Sequence, residues 1–223
     1  PEKLALLRII MGQAKAGESI GQALRSTGSC YDRVLRPFLQ GVFLTDPDNV
    51  DATYGHSIIR SFVSGSPGVP RNGVGELPKA LVKRISSINY NTRVDRIEQT
   101  SVHTNNGTLT AKKILIATDA TTATQLLGLP EVPRMAGCIT WYHAVSHNPS
   151  GNGRLVVDGL KRGPIINTVV MSDISKNYAP VGQHLVSTTT DLNVTESDVR
   201  RHLAIMWGVD TYAWQFIAKY EIP

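Results

Sequence analysis

Hydrophobic positions fall into helical spacing at the start of the chain. Leu4, Leu7, Ile10 and Met11 share one stripe, which predicts a helix over residues 3–16 that Gly17 breaks. Ser19 can cap a second helix through SIGQALRST, stopping at Gly28. From Ser29 to Leu39 the positions Tyr31, Val34, Leu35 and Phe38 keep the same period. Pro37 interrupts it, so the segment is expected to kink or to end at Arg36. The turn residues TDPDN precede Asp51, a candidate cap for a helix through ATYGHSIIRSFV. Residues 1–66 therefore read as mainly helical.

The texture breaks at SGSPGVPRNG, where Gly, Pro and Ser mark a module boundary. ELPKALVKRISS then predicts a helix with Leu77, Leu81, Val82 and Ile85 turned inward. From Ile88 the chain reads INYNTRVDRIEQTSVHTNNGTLTAKKILIATDA, a strand, a hairpin turning at Asn106-Gly107, and the continuous apolar run ILIAT. That run is expected to be a strand covered on both faces. After residue 136, CITWYHAVSH, GRLVVDG, PIINTVVMSDI and HLVSTTTD are four β-rich runs with short connections, which predicts an antiparallel sheet. Thr195 caps a helix through TESDVRRHLAIMW, with Asp198 as a weaker capping-box partner, and AWQFIAKYEI is a last strand. The fold class is α+β.

Composition narrows this little. Of 223 residues 41% are hydrophobic, and no apolar run reaches the roughly 20 residues of a membrane span. The first residues lack the features of a secretory signal, and with no initiator Met they read as cut from a longer chain. The net charge of +5 is dispersed, with no basic run of five and no alternation with aromatics, so no nucleic-acid partner is expected. Cys30 and Cys138 form no CxxC and are expected as buried thiols, in keeping with a cytoplasmic location.

Candidate chemistry is sparse. NGVGELPKAL begins like a glycine-rich phosphate loop, but Pro78 replaces the third glycine and no apolar strand precedes it. His143 and His147 would suit a metal on a helix. On a strand, as WYHAVSH reads, they lie roughly 13 Å apart, and no metal is expected. No GxSxG, CxxC or HExxH occurs, so any catalysis would rest on a cofactor.

The segments GVPRNGVGELPKALVKRI, NTRVDRIE and VHTNNGTLTAKKILIATDA resemble the central region of the superfamily of flavin-containing amine oxidases, phytoene desaturases and protoporphyrinogen oxidases. CYDRVLRPFLQGVFLTDPD resembles the helical region before it, and WQFIAKYEIP the strand after the substrate domain, so the likeness runs through nearly the whole chain. It implies four parts. Residues 1–66 would be helical substrate domain, 67–135 part of a Rossmann-like FAD-binding domain, 136–207 the antiparallel sheet and helix of the substrate domain, and 208–223 a return strand. The resemblance places Val94 with its backbone against the FAD adenine, and Ala117 and Thr118 beside the cofactor, where small side chains let the backbone come close. Trp141 and Tyr142 become candidates for lining the substrate cavity, although alternation on a strand sends only one of them inward.

Two departures qualify the resemblance. The N-terminal GxGxxG and the C-terminal Gly-Asp motif of the family are absent, so FAD binding by these residues alone is expected to be weak or absent. Thr140 stands where amine oxidases often carry a lysine, and no lysine occurs between Lys113 and Lys161. The implied activity is oxidation of an apolar or amine small molecule by hydride transfer to flavin, with peripheral membrane contact if the substrate is lipophilic. No catalytic acid or base is marked, and the substrate and electron acceptor stay open. The alternative is a non-catalytic binding module that keeps the substrate-domain scaffold.

Overall fold

A computed structural model describes residues 14–131 and 135–222, so most of the helix expected over 3–16 lies outside the described residues. The architecture is α+β, in two units: residues Pro1–Leu77 with Ala136–Pro223, and residues Pro78–Met135.

Helices in the first unit begin at the expected caps. The Ser19 hydroxyl accepts from the Gln22 N–H, and the Gln22 side chain accepts from the Ser19 N–H, starting α1, Ile20–Leu24. The next segment does not end at Arg36. A π-helical turn, Tyr31–Leu35, runs directly into α2, Arg36–Phe43, with Pro37 in its first turn. Pro37 has no N–H to give the Arg33 carbonyl, and a widened turn absorbs that mismatch. Gly159 lies so close to this carbonyl that an added Cβ would collide with it. Asp51 caps α3, Ala52–Ser64, by accepting from the Tyr54 N–H. Ile20, Leu24, Tyr31, Leu39 and Val50 form the core of this helical part. Cys138 is buried as expected, whereas Cys30 is only half-buried; both are free thiols.

Helix α4, Glu76–Val82, leads into the second unit. There β1, Val94–Glu98, β2, Ser101–Thr104, and β3, Gly107–Thr110, form an antiparallel meander, followed by α5, Ala120–Leu126, capped by Asp119. Three expectations change here. The two turn residues are Asn105 and Asn106, because Gly107 pairs with Thr104 and itself takes the positive φ of 122°. The stripe expected inside is outside: Leu77 is 59% exposed and Leu81 53%, with Val82 and Ile85 also open. The run Ile114–Thr118 forms no strand, and Leu115 is 91% exposed. A doubly covered strand needs neighbouring strands and helices on both faces, and the described residues supply neither. Among the described residues, none of the buried apolar side chains lies between Pro78 and Met135.

The chain then returns to the first unit. Strands β4, Cys138–Val145, and β5, Ile165–Val170, are followed by α6, Met171–Ile174, β6, His184–Thr190, α7, Glu196–Trp207, and β7, Gln215–Ile222. The sheet order is β5-β6-β4-β7, antiparallel throughout. GRLVVDG contributes one bridge, Val156 with Thr168, instead of a strand. One sheet face is apolar: Ile139, Trp141, Val145, Val170 and Val186 pack against Val199 and Leu203 of α7 and against Trp214. Thr195 caps α7 through the Asp198 N–H.

A buried polar cluster closes the loop before β5. The Asp158 carboxylate accepts from His202 Nε2 at 2.9 Å, the Arg162 N–H at 2.7 Å and the Leu160 N–H at 3.0 Å. His202 Nδ1 accepts from the Ile165 N–H at 3.1 Å, so the ring proton sits on Nε2. Gly163 passes the ring where a Cβ would come within 2.5 Å of Cγ. Burial works to raise the Asp158 pKa, but the bonds from Arg162, His202 and Leu160 outweigh it and hold the carboxyl well below its usual range.

Candidate functional site on the sheet face

Strand register divides the sheet residues between two faces. On the α7 side lie Trp141 and His143 of β4, with Val186, Thr188 and Thr190 of β6 and Thr168 of β5. Every hydroxyl there is paired: Trp141 Nε1 donates to Thr190 Oγ1 at 2.9 Å, and the Thr168 and Thr188 hydroxyls meet at 3.1 Å. Trp141, 2% exposed, is a core residue.

The opposite face carries Tyr142 and two cross-strand rows. Asn167, Thr189, Thr140 and Tyr220 form one row; Val169, Ser187, Tyr142 and Ala218 form the next. Most of these side chains are half-buried. Tyr142 and Tyr220 meet edge to face, with ring centroids 5.9 Å apart. Helix α2 approaches this face, where Gly41 leaves room for the Asn167 amide that a Cβ would crowd at 2.8 Å. The next α2 residue, Val42, joins Ile58, Ser61, Phe62 and the Gly65–Pro67 turn around an apolar groove of about 370 Å³.

His143 is fully buried and sits apart from His147, which is exposed beyond the strand end. Its Nε2 meets Glu196 at 3.0 Å, while Nδ1 has no hydrogen-bond partner among the described residues. Arg200 holds Glu196 and also donates to the Trp214 carbonyl at 2.8 Å. Burial lowers the His143 pKa, and the Glu196 hydrogen bond only partly offsets it. A folded pKa below the unfolded value of about 6.5 means a contribution to stability complete above that pH and lost as pH falls below it. The urea midpoint is therefore expected to fall from about pH 6.5 toward 5, and less steeply in His143→Phe. Equal slopes in the two proteins would remove this assignment.

In the second unit, Val94 opens β1, which pairs only with β2 among the described residues. Arg93 bonds toward β2, its carbonyl accepting from the Asn105 N–H at 3.1 Å. Alternation then turns the Val94 N–H and carbonyl to the strand's outer edge. Ala117 and Thr118 are exposed just before α5, and the Thr118 hydroxyl donates to the Asp119 carbonyl at 3.2 Å.

Sequence reasoning singled out Tyr142, and Thr140 only as the place of a missing lysine. It missed Asn167, Ser187, Thr189 and Tyr220, which join them only through strand register. The alternation in HLVSTTT and PIINTVV was the available signal, but it does not say which alternate set faces a helix.

No family model matches the chain, and no curated protein matches it in sequence. Its fold is that of several solved proteins. A Pyrococcus furiosus protein superposes with a TM-score of 0.75 at 16% identity over 97% of this chain. An oxidoreductase from Methanosarcina mazei does so at 0.73, with 15% identity over 98%. An Exiguobacterium protein provisionally described as a protoporphyrinogen oxidase gives 0.69, with 16% identity over 99%. The chain spans only 60%, 58% and 59% of those proteins' own lengths.

Proposed function

We propose that this chain supplies the substrate-binding part, and one segment of the nucleotide-binding part, of an FAD-dependent oxidoreductase acting on an apolar or amine substrate. The observation that carries the reading is the uncovered second unit. It has the strand, hairpin and helix of a nucleotide-binding layer, but its apolar groups at Leu81, Val82, Ile85 and Leu115 lie open, and none of the apolar side chains among its described residues is buried. A layer without a core calls for further polypeptide to cover it. The fold shared with an oxidoreductase and the motif resemblance over 70–119 support the same reading.

The residues present fit the cofactor at one edge. The outward N–H and carbonyl of Val94 offer one donor and one acceptor, the pair that an adenine edge requires. The small side chains of Ala117 and Thr118 would let backbone approach the cofactor. The flavin, when bound, supplies the hydride acceptor. This chain's own residues bind and orient: Tyr142 and its neighbours on the open sheet face would contact the substrate, Trp141 would hold their strand from behind, and the Val42–Phe62 groove would keep an apolar portion from water.

The test is to purify the protein encoded by the complete reading frame. It is expected to be yellow, releasing close to one FAD per chain on denaturation. Val94→Pro removes only an outward N–H, a change an edge strand tolerates, and should weaken FAD binding about three- to tenfold. A colourless protein that takes up no FAD would overturn the proposal.

A further inference from the structure

The two sheet faces treat their polar groups differently. On the α7 side the Thr168, Thr188, Thr190 and Trp141 polar groups are all hydrogen-bonded within the protein. On the open face, Thr140, Tyr142, Ser187, Thr189, Asn167 and Tyr220 carry five hydroxyls and one amide. None of these side chains has a hydrogen-bond partner among the described residues. Five of them are half-buried and Tyr220 is 59% exposed, and none has its polar atoms sealed from water, so these donors and acceptors stay available to a ligand that displaces solvent. A solvated face would also be expected to carry charge, as 18% of the chain is charged. Here the outward positions of the four strands, Asn167 and Val169, Leu185 to Thr189, Cys138 to Ala144, and Ala218 to Ile222, hold no ionisable group that is charged near neutral pH. Lys219 and Glu221 fall on the other face, where Lys219 lies over the Trp141 ring and pairs with Glu221.

From this we infer that the open face recognises an uncharged, oxygen-rich portion of a ligand, of the kind a hydroxylated ring presents, and discriminates against ammonium and carboxylate groups. Hydroxyls and an amide both donate and accept, so they can match alcohol and carbonyl oxygens in either sense. Among these strand positions an ammonium ion would lose its hydration with no carboxylate in return, the carboxylate of Asp191 lying past the end of β6 near Cys138, and a carboxylate would find no guanidinium or ammonium. The two tyrosines supply an apolar wall for the carbon skeleton of such a ring. The inference rests on the proposed function for the role of this face as a substrate surface, and narrows its apolar-or-amine substrate to an uncharged one with oxygen functions.

Octyl glucoside, octylamine and octanoate share a tail and differ in the head group, which makes them suitable probes. Each, below its micellar concentration, is titrated into the 223-residue chain while amide and side-chain shifts are followed by NMR. Octyl glucoside is expected to shift Thr140, Tyr142, Ser187, Thr189, Asn167 and Tyr220, with the two charged probes at least about tenfold weaker. The double variant Thr140→Val, Thr189→Val should weaken glucoside binding about tenfold or more, at unchanged urea midpoint. Equal response to a charged probe, shifts confined to the Val42–Phe62 groove, or no response to any probe would each overturn the inference. The readout needs no flavin, so a colourless full-length protein would sink the oxidoreductase reading while leaving this result to stand or fall alone.

Discussion

Replacing Asp158 by Ala is expected to destabilise the protein by about 3–5 kcal/mol, read as a lowered urea midpoint at constant slope. The carboxylate is nearly inaccessible and so is its partner His202, each about 2% exposed. Removing it strands His202 Nε2–H and the N–H groups of Leu160 and Arg162 at once. The ring cannot adapt by moving its proton, because Nδ1 must keep accepting from Ile165. Asp158→Asn should fall between the two proteins: with its carbonyl in the Oδ2 place it can still accept from His202 and the Arg162 N–H, but its NH2 then opposes the Leu160 N–H. The pH dependence has a definite sign. A folded pKa below the unfolded value of about 3.9 gives a contribution present above that pH and lost as pH falls through it. An Ala variant within about 1 kcal/mol of the parent would mean that the cluster is incidental.

Trp141→Ala is expected to cost about 3–5 kcal/mol, the range for removing a large aromatic from a packed core. Trp141→Phe keeps most of the ring but leaves Thr190 without its donor, and about 1–2 kcal/mol is expected. Tyr142, one residue on, should behave oppositely. Tyr142→Phe removes a hydroxyl that bonds to no protein group among the described residues, so the midpoint should move by less than about 0.5 kcal/mol, while octyl glucoside binding weakens. If Trp141→Ala proved stable and only ligand binding changed, the assignment of the two faces would have to be exchanged.

Local signals were the legible part. Ser19, Asp51 and Thr195 cap helices at their expected places because capping involves only three or four consecutive residues. The antiparallel sheet was legible because short connections leave few alternatives. What failed needed distant partners. Leu81 and Ile85 have helical spacing whether or not anything covers them, and ILIAT has strand composition whether or not neighbours exist. Asp158 and His202 are 44 residues apart and follow no motif. The π-helical turn at Tyr31–Leu35 passes close against Gly159, which no local reading connects to it. The six groups of the open face lie on four strands and acquire a common surface only from register. Sequence alone reached Tyr142 by resemblance and could not say that Trp141 turns its back on it.

The first unit is stitched from two separated stretches, and this has a consequence for how it is made. Tyr178 donates to the Pro70 carbonyl across 108 residues, and Ser175 to that of Arg71 across 104. A ribosome releases the capped helices long before the sheet that α2 must meet. The early helices therefore have a small core of their own to collapse on, yet cannot dock until the later strands emerge, and such late closure is slow and exposed to misassociation. The segment between these stretches spends that interval with its oily side chains bare. Expression from a slowly translated message, or with a holdase chaperone present, should accordingly recover more folded material than rapid overproduction.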